Sequence, residues 1–269
     1  MTTQPANAIQ TFNLTRRYGP ITAVDAINLR VPGGQIFGLL GPNGAGKSTA
    51  IKMLTTLLPP TAGTALVAGF DIVKSPAEVR RRIGYVPQLV SADGALTGFE
   101  NLMLSAKLYG MPRPDRKPRI ADALQFMGLT GAGERLVRTY SGGMVRRLEV
   151  AQAMLHRPAV LFLDEPTIGL DPIARRTVWD RLRDLRRDFG MTVLITTHDM
   201  EEADALCDEL ALMHLGKIAV TGAPAELKAA LGPAASLDDV FIHYSGAAIQ
   251  EGGSIFDVQR TRGTASRLG

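Results

Sequence analysis

The chain has 269 residues, with 45% apolar and 21% charged positions, a balance that excludes a disordered polymer and allows one large domain or a domain with a subdomain. Its formal charge of +4, from 30 basic and 26 acidic residues, contains no block of five or six like charges; it does not signal nucleic-acid binding and fits weak attraction to an anionic membrane surface equally well. One cysteine, Cys207, excludes an internal disulfide scaffold and suits a reducing compartment.

The N-terminus lacks an apolar segment behind a basic start, so no signal peptide is expected. Residues 8–31 alternate apolar and polar around Tyr18-Gly19-Pro20 and predict two antiparallel strands. Ile36–Leu40 predicts a buried strand, and Lys47–Leu58 a helix stopped by Pro59 and Pro60. Between them, Gly41-Pro42-Asn43-Gly44-Ala45-Gly46-Lys47-Ser48-Thr49 fits G-x-x-x-x-G-K-[ST] in the strand-to-helix setting that motif needs. Glycines at 41, 44 and 46 let backbone N–H groups curl around a β-phosphate, and the helix end adds partial positive charge. Lys47 then reaches the β- and γ-phosphates of ATP, and the Ser48 hydroxyl ligates Mg²⁺.

Gly63–Val67 and Ile83–Val86 predict further strands. From Phe99 to about Arg157 helical periodicity takes over, broken by Pro112, Pro114 and Pro118, which predicts a helical subdomain inserted into an α/β core. In that block Ser141 can cap a helix beginning at Gly142, while Gly142 and Gly143 leave backbone N–H groups bare. The pair reads either as a second anion-binding helix end or as an ordinary helix start.

The core resumes with strand Ala159–Leu163, which runs into Asp164-Glu165-Pro166. Two carboxylates at a strand end are either a surface terminus or, beside a phosphate loop, a Mg²⁺ ligand (Asp164) and a base that holds the attacking water (Glu165). Helix Pro172–Phe189, strand Thr192–Thr196, helix Met200–Cys207, strands Glu209–His214 and Lys217–Thr221, and helix Ala223–Leu231 follow. His198, just past a core strand, reads either as a hydrogen-bonded structural side chain or as a contact to the γ-phosphate. His156, His214 and His243 have no metal-ligand spacing and read as structural, and Cys207 as an inert core thiol. After Pro233 only fragments are expected, with a loose tail over 251–269. The longest apolar runs fall far short of the roughly 20 residues that cross a bilayer.

As a set these residues resemble the nucleotide-binding subunit of ATP-binding cassette (ABC) transporters, over about residues 8–231. Tyr140-Ser141-Gly142-Gly143-Met144 looks like the family's signature, Gly84-Tyr85-Val86-Pro87-Gln88 like its glutamine loop, Ile168-Gly169-Leu170-Asp171 like its D-loop, and Thr197-His198-Asp199 like its switch. The signature has Tyr140 and Met144 where the commonest form has Leu and Gln. That run, and Ser236–Phe241, resemble the actinobacterial drug and antibiotic exporter branch of daunorubicin-resistance type.

The resemblance implies a P-loop NTPase core of ABC ATPase type, α/β in class, with an N-terminal antiparallel β-subdomain, a helical subdomain at about 99–157, and a C-terminal extension at 232–269. It implies ATP and Mg²⁺ as ligands, Gln88 as Mg²⁺ sensor and catalytic partner of Glu165, His198 and Lys47, and Tyr18 as the ring that stacks on adenine. The phosphate loop from Gly41 to Thr49 and the signature residues Ser141, Gly142 and Gly143 then bind nucleotide. One phosphate loop and one signature per chain imply a homodimer with two shared sites. The expected partner is a separate integral-membrane permease, which binds a small-molecule substrate, and the expected location is the cytoplasmic face of the membrane; no nucleic acid is expected. Phe99–Met103 would help form the groove for a short helix of that permease.

Competing readings are an importer ATPase, a soluble cassette ATPase acting on ribosomes or DNA, and a catalytically dead scaffold. Paired cassettes or a long coiled-coil insert, the marks of the soluble group, are absent from this sequence. The set Lys47, Asp164, Glu165 and His198 weighs against the scaffold.

Overall fold

The computed structural model describes residues 7–251. The first segment forms three strands instead of two: β1 (Asn7–Tyr18), β2 (Ile21–Ile27) and β3 (Arg30–Pro32). Side chains mark the break. Asn28 Nδ2 donates to Asn13 Oδ1 at 2.8 Å while Asn13 N donates to Asn28 Oδ1 at 2.9 Å, a bridge that sits where the pairing of β1 passes from β2 to β3. After β4 (Ile36–Leu40) comes α1 (Lys47–Leu54), which ends four residues short of expectation because Thr56 takes a positive φ of 63°. Then β5 (Ala62–Val67) and β6 (Phe70–Asp71) complete the antiparallel sheet. The short helix α2 (Pro76–Arg82), unmarked in the sequence reading, leads into β7 (Ile83–Val86).

Helices α3 (Gly98–Leu108), α4 (Arg113–Phe126) and α5 (Gly142–Met154) make the helical block. Pro118 does not break α4 as expected. Pro114 lies in the first turn, where N–H groups are unpaired anyway, and burial of Ile120, Ala123 and Leu124 offsets the roughly 3 kcal/mol of an internal proline. Then come β8 (Val160–Asp164), α6 (Pro172–Phe189), β9 (Thr192–Thr197), α7 (Met200–Leu206), β10 (Glu209–His214), β11 (Lys217–Gly222) and α8 (Pro224–Ala229). The segment after Pro233 is not fragmentary: α9 (Leu237–Glu251) is a helix that packs on α7, α8 and β11, with Leu237 and Val240 buried. Ser236 and Asp239 cap it reciprocally, Asp239 N donating to Ser236 Oγ at 3.2 Å and Ser236 N to Asp239 Oδ2 at 2.8 Å. The rest of the tail, 252–269, lies outside the described residues.

The larger sheet runs in the order β11-β10-β4-β9-β8-β7, parallel except for β11. Its central strands are buried along their whole length, as parallel strands covered on both faces must be. Alternation splits their side chains between two cores. Phe37, Leu39, Phe162 and Leu194 join α1 and the antiparallel sheet on one face. Ile36, Leu40, Leu161, Leu163 and Ile195 face the helices. Leu102 of α3, Ile120 of α4 and Leu148 of α5 belong to that second cluster, so the helical block shares the core of the sheet.

Candidate functional site

Pairing register brings three loops together. Leu40 lies opposite Thr197, and Asp164 opposite Thr196, so β4, β8 and β9 end side by side. Gly41, Glu165 and His198 therefore leave the same edge of the sheet, the edge where open α/β sheets place ligands.

The loop from Gly41 to Gly46 is fixed by contacts only glycine tolerates. A Cβ on Gly41 would lie 2.2 Å from the carbonyl oxygen of Met213. Gly46 has φ 106°, and a Cβ there would lie 2.3 Å from the carbonyl oxygen of Ala23. A cavity of about 360 Å³ opens above, lined by Asn43 to Thr49 with Ala23, Gln88, Glu165 and Ile168. Lys47, 4% exposed, donates from Nζ to the carbonyls of Gly41 (2.6 Å) and Pro42 (3.1 Å). Burial pushes its pKa below the ordinary lysine value, while Glu165 and Asp164 pull it back up.

Glu165 is the centre of the arrangement. Its φ of 48° is rare for a residue with a side chain, a conformation that costs on the order of 1 kcal/mol. Two bonds hold it there: Glu165 N donates to the Thr196 carbonyl at 3.1 Å and to Thr196 Oγ1 at 3.0 Å. The side chain, 7% exposed, has Lys47 Nζ at 3.7 Å and His198 Nδ1 at 3.2 Å from Oε1, and accepts from Gln88 Nε2 at 3.3 Å on Oε2. It also borders a second cavity, of about 160 Å³, with Thr167, Arg175, His198 and Asp199.

Asp164 Oδ1 accepts from Ser48 Oγ at 3.0 Å and from Thr196 Oγ1 at 2.5 Å. Ser48 and Asp164 thus offer adjacent hard oxygen donors at the mouth of the phosphate loop, with the Gln88 amide bordering the same cavity. That donor set fits Mg²⁺. Desolvation and the Asp164 charge raise the neighbouring Tyr85 hydroxyl to about 12, keeping it protonated beside the carboxylates.

Other expected residues stand apart from this cluster. Ser141 caps α5, its Oγ accepting from Met144 N at 3.3 Å, but neither it nor Gly142 or Gly143 lines the phosphate-loop cavity. Gly143 has a packing reason besides bare N–H groups: a Cβ there would sit 2.7 Å from Ala174 Cβ at the start of α6. Tyr18 is exposed at the end of β1, with the Arg16 guanidinium 4.7 Å from its ring centre, and does not line the cavity.

Two supporting positions, Thr196 and Glu202, were not found by sequence reading. Thr196 holds both Asp164 and Glu165, yet reads only as a polar residue inside a strand. Glu202, 1% exposed, accepts on Oε1 from Thr167 Oγ1 (2.6 Å) and Trp179 Nε1 (2.9 Å), tying the loop after Glu165 to α6 and α7. Asp199, named in sequence only as part of the switch run, caps α7 and pairs with Arg175 at 2.8 Å, which fixes the exit from His198.

Comparison with known proteins bears on family and fold. Residues 24–168 match the family described as ABC transporter. The daunorubicin/doxorubicin resistance ATP-binding protein DrrA of Streptomyces peucetius is 48% identical over 232 residues, 86% of this chain and 70% of that protein. The linearmycin resistance ATP-binding protein LnrL of Bacillus subtilis is 40% identical over 83% of this chain and 72% of its own length. A solved structure described as the ATP-binding subunit of an ABC transporter superposes with TM-score 0.78 at 27% identity, over 88% of this chain and 99% of that one.

Proposed function

This chain belongs to the ABC transporter family, and we propose that two copies of it close over two ATP molecules and drive export of a small molecule through a separate permease. It is an ATP-binding subunit whose hydrolysis is coupled to transport. Among the described residues no helix is long and apolar enough to cross a membrane, so the translocation path is assigned to the partner. The relatives are named for resistance to daunorubicin and doxorubicin and to linearmycin, which supports a drug or antibiotic as cargo.

One observation carries the chemistry: Lys47, Gln88 and His198 converge on the Glu165 carboxylate beside the Ser48–Asp164 pair. With ATP in the phosphate loop, backbone N–H groups and Lys47 hold the phosphates. Ser48, Asp164 and Gln88 would hold Mg²⁺, which supplies charge neutralisation to the phosphate oxygens. Water attacks the γ-phosphorus and the bond to the β-γ bridging oxygen breaks, releasing ADP and phosphate. Glu165 accepts the proton of that water, and His198 orients the carboxylate and the γ-phosphate. Tyr18 is assigned to adenine, and Ser141, Gly142 and Gly143 to the partner's ATP.

Exposed Leu89 and Val90 lie just past Gln88, and exposed Leu104 and Leu108 lie on α3. Asp93 N donates to Asn101 Oδ1 at 2.9 Å, tying the two elements together. This surface supports a permease docking at the membrane's cytoplasmic face.

The test is phosphate release by the purified chain and by Lys47→Ala. Hydrolysis is expected to fall at least about 100-fold, since the substitution removes a buried charge from the phosphates. Parental turnover in the variant would overturn the assignment.

A further inference from the structure

Within α5 lies a charge pair that the chemistry above does not use. Arg146 and Glu149 have side chains 7% and 1% exposed, with Nη1 and Oε2 3.0 Å apart. Arg146 also donates from Nη1 to the Pro87 carbonyl at 2.8 Å and from Nη2 to the Gln88 carbonyl at 3.1 Å. Glu149 Oε1 accepts from Ser91 N at 2.5 Å and Ser91 Oγ at 2.9 Å. Both members of a buried ion pair thus direct their remaining hydrogen bonds at residues 87–91.

That segment carries Gln88, whose Nε2 lies 3.3 Å from Glu165. The same helix begins at Ser141, the end assigned above to a neighbouring copy's ATP. A rigid helix of thirteen residues therefore joins the two. A buried ion pair is a weak device for stability alone, because apolar residues of similar volume often serve as well. The guanidinium fork, in contrast, holds two carbonyls and a carboxylate at once, which no apolar side chain does.

We propose that Arg146 and Glu149 are positioning residues that lock residues 87–91 to α5, so that Gln88 and the Ser141 end of the helix move as one body. A change at the γ-phosphate of one site, felt by Gln88, is thereby passed to the signature that serves the opposite site. This rests on the shared-site reading, and predicts that the pair governs cooperativity between sites, with little effect on nucleotide affinity.

The experiment compares the full chain with Arg146→Met/Glu149→Leu and with Arg146→Lys. The double variant removes both charges together and leaves no uncompensated one. The lysine variant keeps the charge opposite Glu149 but loses the fork, so it tests the lock even where the double variant folds poorly. Measured are thermal unfolding, binding of a fluorescent ATP analogue, and phosphate release against ATP and protein concentration. The expected result is analogue affinity within about 3-fold of the parent. Saturated hydrolysis should fall by about 10-fold or more, and the Hill coefficient should drop from above one to about one. Folded variants with the parent's rate and Hill coefficient would overturn the lock. A parent whose specific activity is independent of protein concentration, with a Hill coefficient of one, would overturn the shared-site reading, and the role across sites with it.

Discussion

At the scale of single residues, the candidate site has two adjacent carboxylates given different neighbours by backbone geometry. Asp164 continues the strand and meets Ser48 and Thr196, whereas Glu165 turns away at φ 48° and meets Lys47, Gln88 and His198. Asp164→Asn should therefore weaken Mn²⁺ binding to the nucleotide complex by about 10-fold or more, the loss of one anionic ligand. Electron paramagnetic resonance of bound Mn²⁺ measures this without reference to turnover, and unchanged Mn²⁺ affinity would remove Asp164 from the metal site. The chemistry-bearing residues were legible because each interrupts a pattern: glycines after an apolar run, carboxylates at its end, a histidine just past a strand. Thr196 was not, because its role depends on lying opposite Asp164, a pairing between residues 32 apart in the chain.

At the scale of elements, local signals were read well where they were strong and missed where packing decided. Helix α6 is bounded in sequence by Asp171-Pro172 and Gly190, and it forms over Pro172–Phe189 as expected, Asp171 Oδ1 accepting from Ile173 N and Ala174 N. The capping pair Ser236 and Asp239, and the helical spacing of Leu237, Val240, Phe241 and Tyr244, carried α9 in the sequence, although only fragments were expected after Pro233. Pro118 argued against a helix that tertiary burial then maintained. Where α3 meets α5, the Tyr109 and His156 rings stack with centres 3.8 Å apart. His156 Nε2 must carry its hydrogen, since it faces the Ile83 carbonyl at 3.0 Å. Burial lowers the His156 pKa to about 4, below its ordinary 6.5. The folded state thus binds this proton less tightly than the unfolded state. Its contribution is constant above about pH 6.5 and is lost as pH falls toward 4, on the order of 1–2 kcal/mol by pH 5. His156→Phe keeps a stacked ring and removes the titration. It should lose stability at pH 7.5 through the missing bond to Ile83, yet fall a few degrees less in melting temperature between pH 7 and 5. Parallel pH profiles for the two proteins would contradict this.

At the scale of the whole molecule, the helical block and the sheet share one hydrophobic cluster, so α5 packs with the face of the sheet whose strand β8 ends at Asp164. The antiparallel sheet and α1 occupy the opposite face of the parallel sheet, and the phosphate loop leaves the edge between these layers. The signature residues lie off the phosphate-loop cavity of their own chain, which accords with the proposal of a site completed by a second copy. This is the central claim, and Glu165→Gln tests it most directly. The amide keeps the shape, cannot take the proton of the attacking water, and removes a negative charge beside the ATP phosphates. Size-exclusion chromatography with ATP and Mg²⁺, paired with phosphate release, should find a long-lived dimer holding two ATP molecules and hydrolysis reduced about 100-fold or more. A Gln variant that stays monomeric and hydrolyses ATP at the parental rate would contradict both the base and the shared site.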